Sequence, residues 1–351
     1  MTLPTELITL FDAAVDRGAS DIHLVADAAP RIRVDGELLR LSDTPPLSLE
    51  TIDSLFLPLF PAFTQNGLRN GTIPAHEVLV SHGKFNFVVV VLRSNGNISV
   101  TVRILSAHVP TLDQIGFDCV DFFRNLTKTP YGLILITGPV GSGKQTTALA
   151  LLQEINASLP GSRIYLLEDS LSHRLQSVNG LVSSLLIGQD VPDYETAMRL
   201  LMRLDPDVVF LNDLPDAQTA QSAITLARHG HLVIANANAP SAAHALKTIY
   251  RAWPTGTLPA LAETLVAVTN QRLLKKSDGK GRIPAYEIIS ITEKLREAIR
   301  SGLDIEVVLS ETVAEDNESR TLPEMMTRLI REGAITDSEA AAALRDYPAT
   351  F

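Results

Sequence analysis

Cysteine is almost missing from this chain of 351 residues. Cys119 is the single one, which excludes an internal disulfide framework and any four-cysteine zinc module. Basic residues are the minority charge, with 30 Lys and Arg against 40 Asp and Glu, for a formal charge of −10. That balance argues against broad, sequence-independent nucleic-acid binding, which needs a basic surface to release counterions. Long apolar runs are absent as well. Stretches such as Phe87–Leu92 and Leu133–Ile136 fall far short of the ~20 residues that a membrane span needs. Met1–Asp16 lacks the basic-then-apolar order of a secretory signal. Neither a repeat of about 20–50 residues nor a low-complexity tract is evident. The expectation is a cytoplasmic protein that binds no nucleic acid and makes no direct membrane insertion.

What is present is globular material, 45% hydrophobic and 20% charged, and the length predicts roughly two domains. The first part mixes helix and hairpin signals. Leu7–Arg17 carries apolar residues at helical spacing. Arg31–Val34 alternates into Asp35-Gly36, a type I′ turn pair, and on to Glu37–Arg40. A second hairpin runs Lys84–Arg93, Asn95-Gly96, Asn97–Leu105. From Tyr131 onward short β-rich runs alternate with helical stretches, the pattern of a parallel α/β sheet. Strands are expected at Gly132–Thr137, Ile164–Leu167, Val208–Leu211 and His231–Ala235. Helices are expected at Lys144–Asn156, Tyr194–Leu204, Ala217–Arg228 and Ala242–Ala252. An acidic stretch from Glu311 through Ser319 reads as a mobile loop before two small helices, Leu322–Gly333 and Asp337–Arg345. The expected division is 1–105, a linker at 106–115, an α/β domain at 116–310 and a C-terminal helical region at 311–351.

Chemistry begins at Gly138-Pro139-Val140-Gly141-Ser142-Gly143-Lys144. The run follows a buried strand and opens a helix, the context that a phosphate-binding loop requires. Gly141 and Gly143 let backbone N–H groups close around phosphate oxygens, and the helix N-terminus adds favourable partial charge. Lys144 is placed to neutralise the β and γ phosphates. The next position should be Ser or Thr, whose hydroxyl ligates Mg²⁺, but it is Gln145. An amide oxygen can ligate a hard cation, although this longer side chain must fold back to do so. Thr146 is rotated ~100° around the helix and substitutes poorly. The expected ligand is ATP, held by residues Gly138 through Thr146, with the ordinary Mg²⁺ ligand missing and no residue assigned to a metal. Asp213 and Glu168, which with His231 are the candidate catalytic residues, follow strands in register with the loop, where acidic residues face the ligand crevice of an α/β sheet. His229 and His231 lack carboxylate or cysteine partners and do not make a metal site. His231 is either a γ-phosphate or inter-subunit contact or a plain strand-start histidine. His23 with Asp21 reads as part of an N-terminal turn, Cys119 as a small buried apolar residue, and the C-terminal helices as packed on their own domain.

With these residues in place the chain resembles the hexameric ATPases of type IV pili and type II secretion, most closely the pilus retraction (twitching motility) motors. Ala19–Leu24 and Arg33–Gly36 are similar to that family's N-terminal motifs, and Leu204–Val209 to the approach to its Walker B strand. Gly230–Val233 is similar to the start of its histidine box. Gln271-Arg272-Leu273, Gly281-Arg282, Tyr286-Glu287 and Glu297–Arg300 resemble its later signatures. Absence of the zinc insert usual in the assembly and secretion branch favours the retraction branch. The resemblance implies an α/β protein: a PAS-like α+β N-terminal domain, then a RecA-like P-loop NTPase domain with a small C-terminal helical extension. It also implies a ring of six, and membrane contact only through an inner-membrane platform protein.

Departures from the family pattern concentrate on chemistry. In the acidic box Glu168-Asp169 remain, while Ser170 replaces Pro and Ser172 replaces the last Glu. The Walker B strand ends in Asn212-Asp213 rather than Gly-Glu, leaving a carboxylate one methylene short, and misplacement on that scale can lower a rate on the order of 100-fold. Pro215-Asp216 stands for Arg-Asp, Arg228 for a Glu, and Asn238 for the second histidine. Asn86 and Asn95 occupy positions where the family has arginines that reach a neighbour's phosphate, and Arg93 and Arg103 lie nearby. These losses remove metal, water-orienting and charge-stabilising groups from one mechanism. The expected function is a divergent ATP-binding subunit with weak or lost hydrolysis, as a homo-hexamer or in a mixed ring with a competent paralogue. The alternative is an active retraction-type motor. A pure interaction protein without nucleotide fits the intact glycines and Lys144 less well.

Overall fold

A computed structural model of the chain describes residues 3–347 except 42–43, 95, 107, 172, 174, 253–257, 304–307, 310 and 312–318, with backbone alone at 250–252. It divides into two compact units. One is Met1–His108 with Ser170–Arg174; the other is Val109–Asp169 with Leu175–Phe351. One crossing lies between His108 and Val109, and Ser170–Arg174, expected in the second domain, sort with the first unit.

The first unit is a PAS-like α+β domain. Its sheet has the order β3-β2-β1-β6-β5-β4, with every neighbouring pair antiparallel. The strands are β1 Asp21–Val25, β2 Arg31–Val34, β3 Glu37–Arg40, β4 Ala75–His82, β5 Phe85–Ser94 and β6 Asn97–Ser106. Helix Thr5–Val15 buries Leu7, Leu10, Phe11 and Ala14 at helical spacing, and Phe11 stacks on Phe87 with ring centroids 4.0 Å apart. The turn between β2 and β3 has positive φ at both Asp35 (47°) and Gly36 (91°), as a type I′ hairpin demands. His23 and Asp21 lie within strand β1 rather than a turn. Period-two burial along the strand accounts for the difference, with Ile22 and Leu24 facing the core.

The second unit is a RecA-like three-layer fold. Its strands are β7 Gly132–Thr137, β8 Arg163–Glu168, β9 Leu181–Leu186, β10 Val208–Leu211, β11 Leu232–Ala237, β12 Leu265–Lys275 and β13 Arg282–Ser290. Their order is β13-β12-β7-β11-β10-β8-β9. Strand β7 is buried on both faces, which is why it reads as an unbroken apolar run. Leu133 and Leu135 face a core built with helices Tyr194–Leu201, Ala217–Arg228 and Ala242–Ala252. Ile134 and Ile136 face the opposite core with helices Lys144–Ser158 and Leu322–Arg331. The sheet is mixed rather than wholly parallel, because β13 returns antiparallel along β12. Helix Asp337–Ala343 follows, and its Ala340 joins the second core. Among the described residues no helix is long and apolar enough to cross a membrane. Most of the expected acidic loop, 312–318, lies outside the described residues.

Candidate nucleotide site

Strand β7 ends at Thr137, and the chain then turns tightly through Gly138 (φ 146°), Gly141 (78°) and Gly143 (89°) before the helix opens at Lys144. Each of these angles is one that side chains with Cβ adopt at a cost. Pro139, Val140 and Gly141 are exposed, Val140 at 90%, whereas the Ser142 side chain is buried. Its hydroxyl makes no hydrogen bond among the described residues. No side chain caps the helix start at Gly143, so the first-turn N–H groups have no side-chain acceptor there. An anion at this point would meet unpaired donors and the positive end of the helix. These observations fit a bound phosphate.

Lys144 bends over the loop. Its Nζ donates to the carbonyls of Gly138 (2.9 Å) and Pro139 (2.8 Å) and to Asn238 Oδ1 (3.0 Å). Burial pushes its pKa down, nearby Asp213 opposes that shift, and Arg272 adds to it. Asn238 follows β11, whose whole length pairs in parallel with β7. Thr146 sits half-buried on the first helical turn, while the neighbouring Thr147 turns inward.

The acidic side lies on the ends of β8 and β10. Glu168 closes β8 and is 5% exposed. Gln145 Nε2 approaches Glu168 Oε1 at 3.5 Å, a long contact, and Asn212 Nδ2 donates to Asp169 Oδ1 at 2.6 Å. Burial raises the Asp213 pKa, and the Asp169 charge adds to it against the Leu214 N–H and Lys144. Asp169, Asp213 and Glu168 also act on the Tyr194 phenol, whose pKa is raised first by burial and then by those charges. Among the described residues no three His, Cys, Asp or Glu side chains gather as a metal-holding group. A magnesium ion here would therefore draw on water and phosphate oxygens as well. Beside Asp213 lies a cavity of about 330 Å³ lined also by Pro215, Asp216 and Asn238. Asp216 itself is engaged as the N-cap of helix Ala217–Arg228, accepting from Thr219 N at 2.7 Å.

Several expected residues lie elsewhere. His231 stands before the first residue of β11, at the opposite end of the sheet, where its carbonyl accepts from Gly132 N at 3.1 Å. At about 3.3 Å per residue along β7, the strand's whole length separates His231 from the loop of its own chain. Its Nδ1 lies 2.5 Å from Pro206 O. Cys119 is half-buried, and burial pushes its thiol pKa up to about 11. In the first unit Arg93 donates to the carbonyls of Leu68 (3.2 Å), Arg69 (2.5 Å) and Gly96 (3.3 Å). Arg103 lies 3.8 Å from Asp21. Asn86 is buried in β5 and accepts from Ser81 at 2.7 Å. Asn95 and Ser172 lie outside the described residues.

Pattern reading of secondary structure missed β12, which carries Thr269-Asn270-Gln271-Arg272 into the interior. All four are buried. Asn270 Nδ2 donates to Thr137 Oγ1 (2.9 Å) and Ala239 O (3.0 Å). Arg272 donates to Asn270 Oδ1 (2.9 Å) and Pro240 O (2.6 Å). Behind them, Glu287 accepts from Ala242 N at 3.0 Å and from the Tyr347 hydroxyl at 3.3 Å. A polar run inside an apolar segment was the available signal.

A RecA-like sheet with a glycine loop at the end of an interior strand, β7, defines a P-loop nucleotide-binding fold. The chain belongs to the Type II/IV secretion system protein family, whose profile matches residues 4–280. It is 28% identical over 340 residues to the type IV pilus retraction ATPase PilT of Pseudomonas aeruginosa, covering 96% of each chain. It is 26% identical over 346 residues to the type IV pilus ATPase PilU of the same organism, covering 96% of this chain and 88% of that one. A crystal structure of the pilus retraction motor PilT with bound ADP superimposes with a TM-score of 0.83 at 28% identity, covering 98% and 97% of the two chains. The relatives are pilus and secretion ATPases.

Proposed function

We propose that the chain is a divergent ATP-binding subunit of a type IV pilus or type II secretion-like machine, in which hydrolysis is weak or lost. It modulates a competent motor or joins its ring, as a homo-hexamer or mixed with a paralogue. It is cytoplasmic and reaches the inner membrane through a platform protein. Gly138 through Thr146 form the nucleotide cradle, and Asp213 and Glu168 its acidic side. The observation that carries this reading is the contrast at Lys144 and Gln145. The lysine is held over a loop of the right shape, while the residue after it turns a long amide toward Glu168. That leaves no hydroxyl where one would hold Mg²⁺.

The alternative is an active retraction-type motor. It is favoured by the placement of Lys144 close enough to Asp213 for each to shift the other's pKa. Mg²⁺-dependent ATP turnover and nucleotide binding, measured on one purified sample beside Lys144→Ala, separate the two. Binding without turnover supports the divergent subunit. Turnover that Lys144→Ala abolishes establishes the motor instead.

A further inference from the structure

We infer that Gln271 is the positioning residue that sets the shape of the phosphate loop, an inference that rests on the nucleotide-site reading above. Gln271 stands on β12 just past the ladder, which ends with Asn270 paired to Thr137. It is therefore level with Gly138, and it is 3% exposed. Its Nε2 donates to Ser142 O at 2.8 Å, and its Oε1 accepts from Thr147 Oγ1 at 3.0 Å. One amide thus joins the last turn of the loop to the first turn of the helix.

The glycines reflect the same neighbour. A Cβ on Gly138 would lie 2.5 Å from Gln271 O and 2.6 Å from Ser142 Oγ; one on Gly143 would lie 3.0 Å from Gln271 Nε2. A Cβ on Gly141 would meet nothing within 4 Å. Two of the three glycines are thus pressed against β12, and only Gly141 has open space.

The consequence follows from the peptide plane. The Ser142–Gly143 peptide is planar and trans, so its C=O and N–H point in opposite directions. With the carbonyl held by Gln271, the Gly143 N–H is directed away from β12. Gly143, free of Cβ, would otherwise allow this peptide to rotate between orientations. A side chain with both a donor and an acceptor at this reach satisfies Ser142 and Thr147 together. A methionine of the same length offers neither group.

The test uses the full chain with Gln271→Met and, as a second variant, Thr147→Val. Fluorescent ADP titration is combined with thermal melts and with hydrogen exchange of the free protein at residues 141–143 and, for comparison, at 209–211 in β10. Loss of one buried hydrogen bond is worth about tenfold in an equilibrium. Gln271→Met is expected to weaken ADP about that much and to speed exchange at 141–143 while leaving 209–211 protected. Thr147→Val should move both readouts the same way by less, and it carries the test if Gln271→Met does not fold. Unchanged loop exchange in a folded variant overturns the inference, as does equal acceleration at 209–211. If the wild type binds no ADP, the nucleotide reading fails, while the exchange comparison still decides the role of Gln271.

Discussion

The two sides of the nucleotide site are built from different materials. On the β7 and β12 side the loop is set by backbone angles and neutral amides, with Gly138, Gly143 and Gln271 fitted to one another. Toward β8 and β10 the groups are side-chain carboxylates, Glu168, Asp169 and Asp213, of which the first two face the amides of Gln145 and Asn212. Backbone-built anion sites survive sequence change because their donors belong to every residue. Carboxylate chemistry depends on the placement of a few side-chain atoms. Binding and hydrolysis can therefore part company in one fold.

The sharpest break of that contrast is Lys144→Ala. Removing a charged donor that meets phosphate should raise the ADP dissociation constant on the order of 100-fold, within the range for hydrogen bonds to charged groups. An unchanged affinity would remove the loop from the site. Next comes a pair on the loop itself. Gly138→Ala must place Cβ against the Gln271 carbonyl at φ 146° and should lower stability by about 2 kcal/mol or more. Gly141→Ala, with open space, pays only for its positive φ of 78°, about 1 kcal/mol. Thermal melts of the two variants should therefore differ, and equal melting would mean that β12 does not press on the loop.

The acidic side predicts a change in rate rather than affinity. Gln145→Thr combined with Asp213→Glu restores a hydroxyl and a full-length carboxylate. Turnover should then rise about tenfold or more, as group placement in an active site commands, while ADP affinity shifts by less than threefold. A rate that stays at zero would show that the loss lies beyond these two positions.

Legibility in the sequence followed the same divide. The loop was readable because its spacing, its lysine and its strand-to-helix context are local, and the Asp35-Gly36 turn was readable for the same reason. The expected strands near β7, β8, β10 and β11 stood out as apolar runs because a parallel sheet is buried on both faces. Strand β12 escaped because four polar residues in its middle break both periodicities, and their partners are as far away in sequence as Thr137 and Pro240. Edge strand β9 escaped through its mixed burial. For His231 the motif left two readings open, because it gives adjacency in the chain, whereas the end of a strand on which a residue falls decides which ligand its own chain can offer it.

Behind the loop, Glu287 offers a pH readout on the β12 side. Burial raises its carboxyl to about 7, against the opposing Ala242 N–H, Tyr347 hydroxyl and Arg272 charge. For a carboxyl whose folded pKa lies above its unfolded one, the stabilising contribution is full below the unfolded value of about 4.5 and is lost as pH rises through about 7. Melting temperature should decline between pH 5 and 8, and the slope should flatten in Glu287→Gln. An identical slope in the variant would assign the decline to other groups.

The smallest effect belongs to Tyr194. Its hydroxyl is buried with no hydrogen-bond partner among the described residues, and the charges of Asp169, Asp213 and Glu168 disfavour its ionisation. A buried donor without an acceptor costs free energy that an apolar ring of the same shape does not. Tyr194→Phe should therefore raise stability by up to about 1 kcal/mol. If binding resides in the loop alone, ADP affinity should not change. A variant that melts higher yet binds ADP several-fold more weakly would mean that the phenol meets the nucleotide, adding a contact on the acidic side to those of the loop.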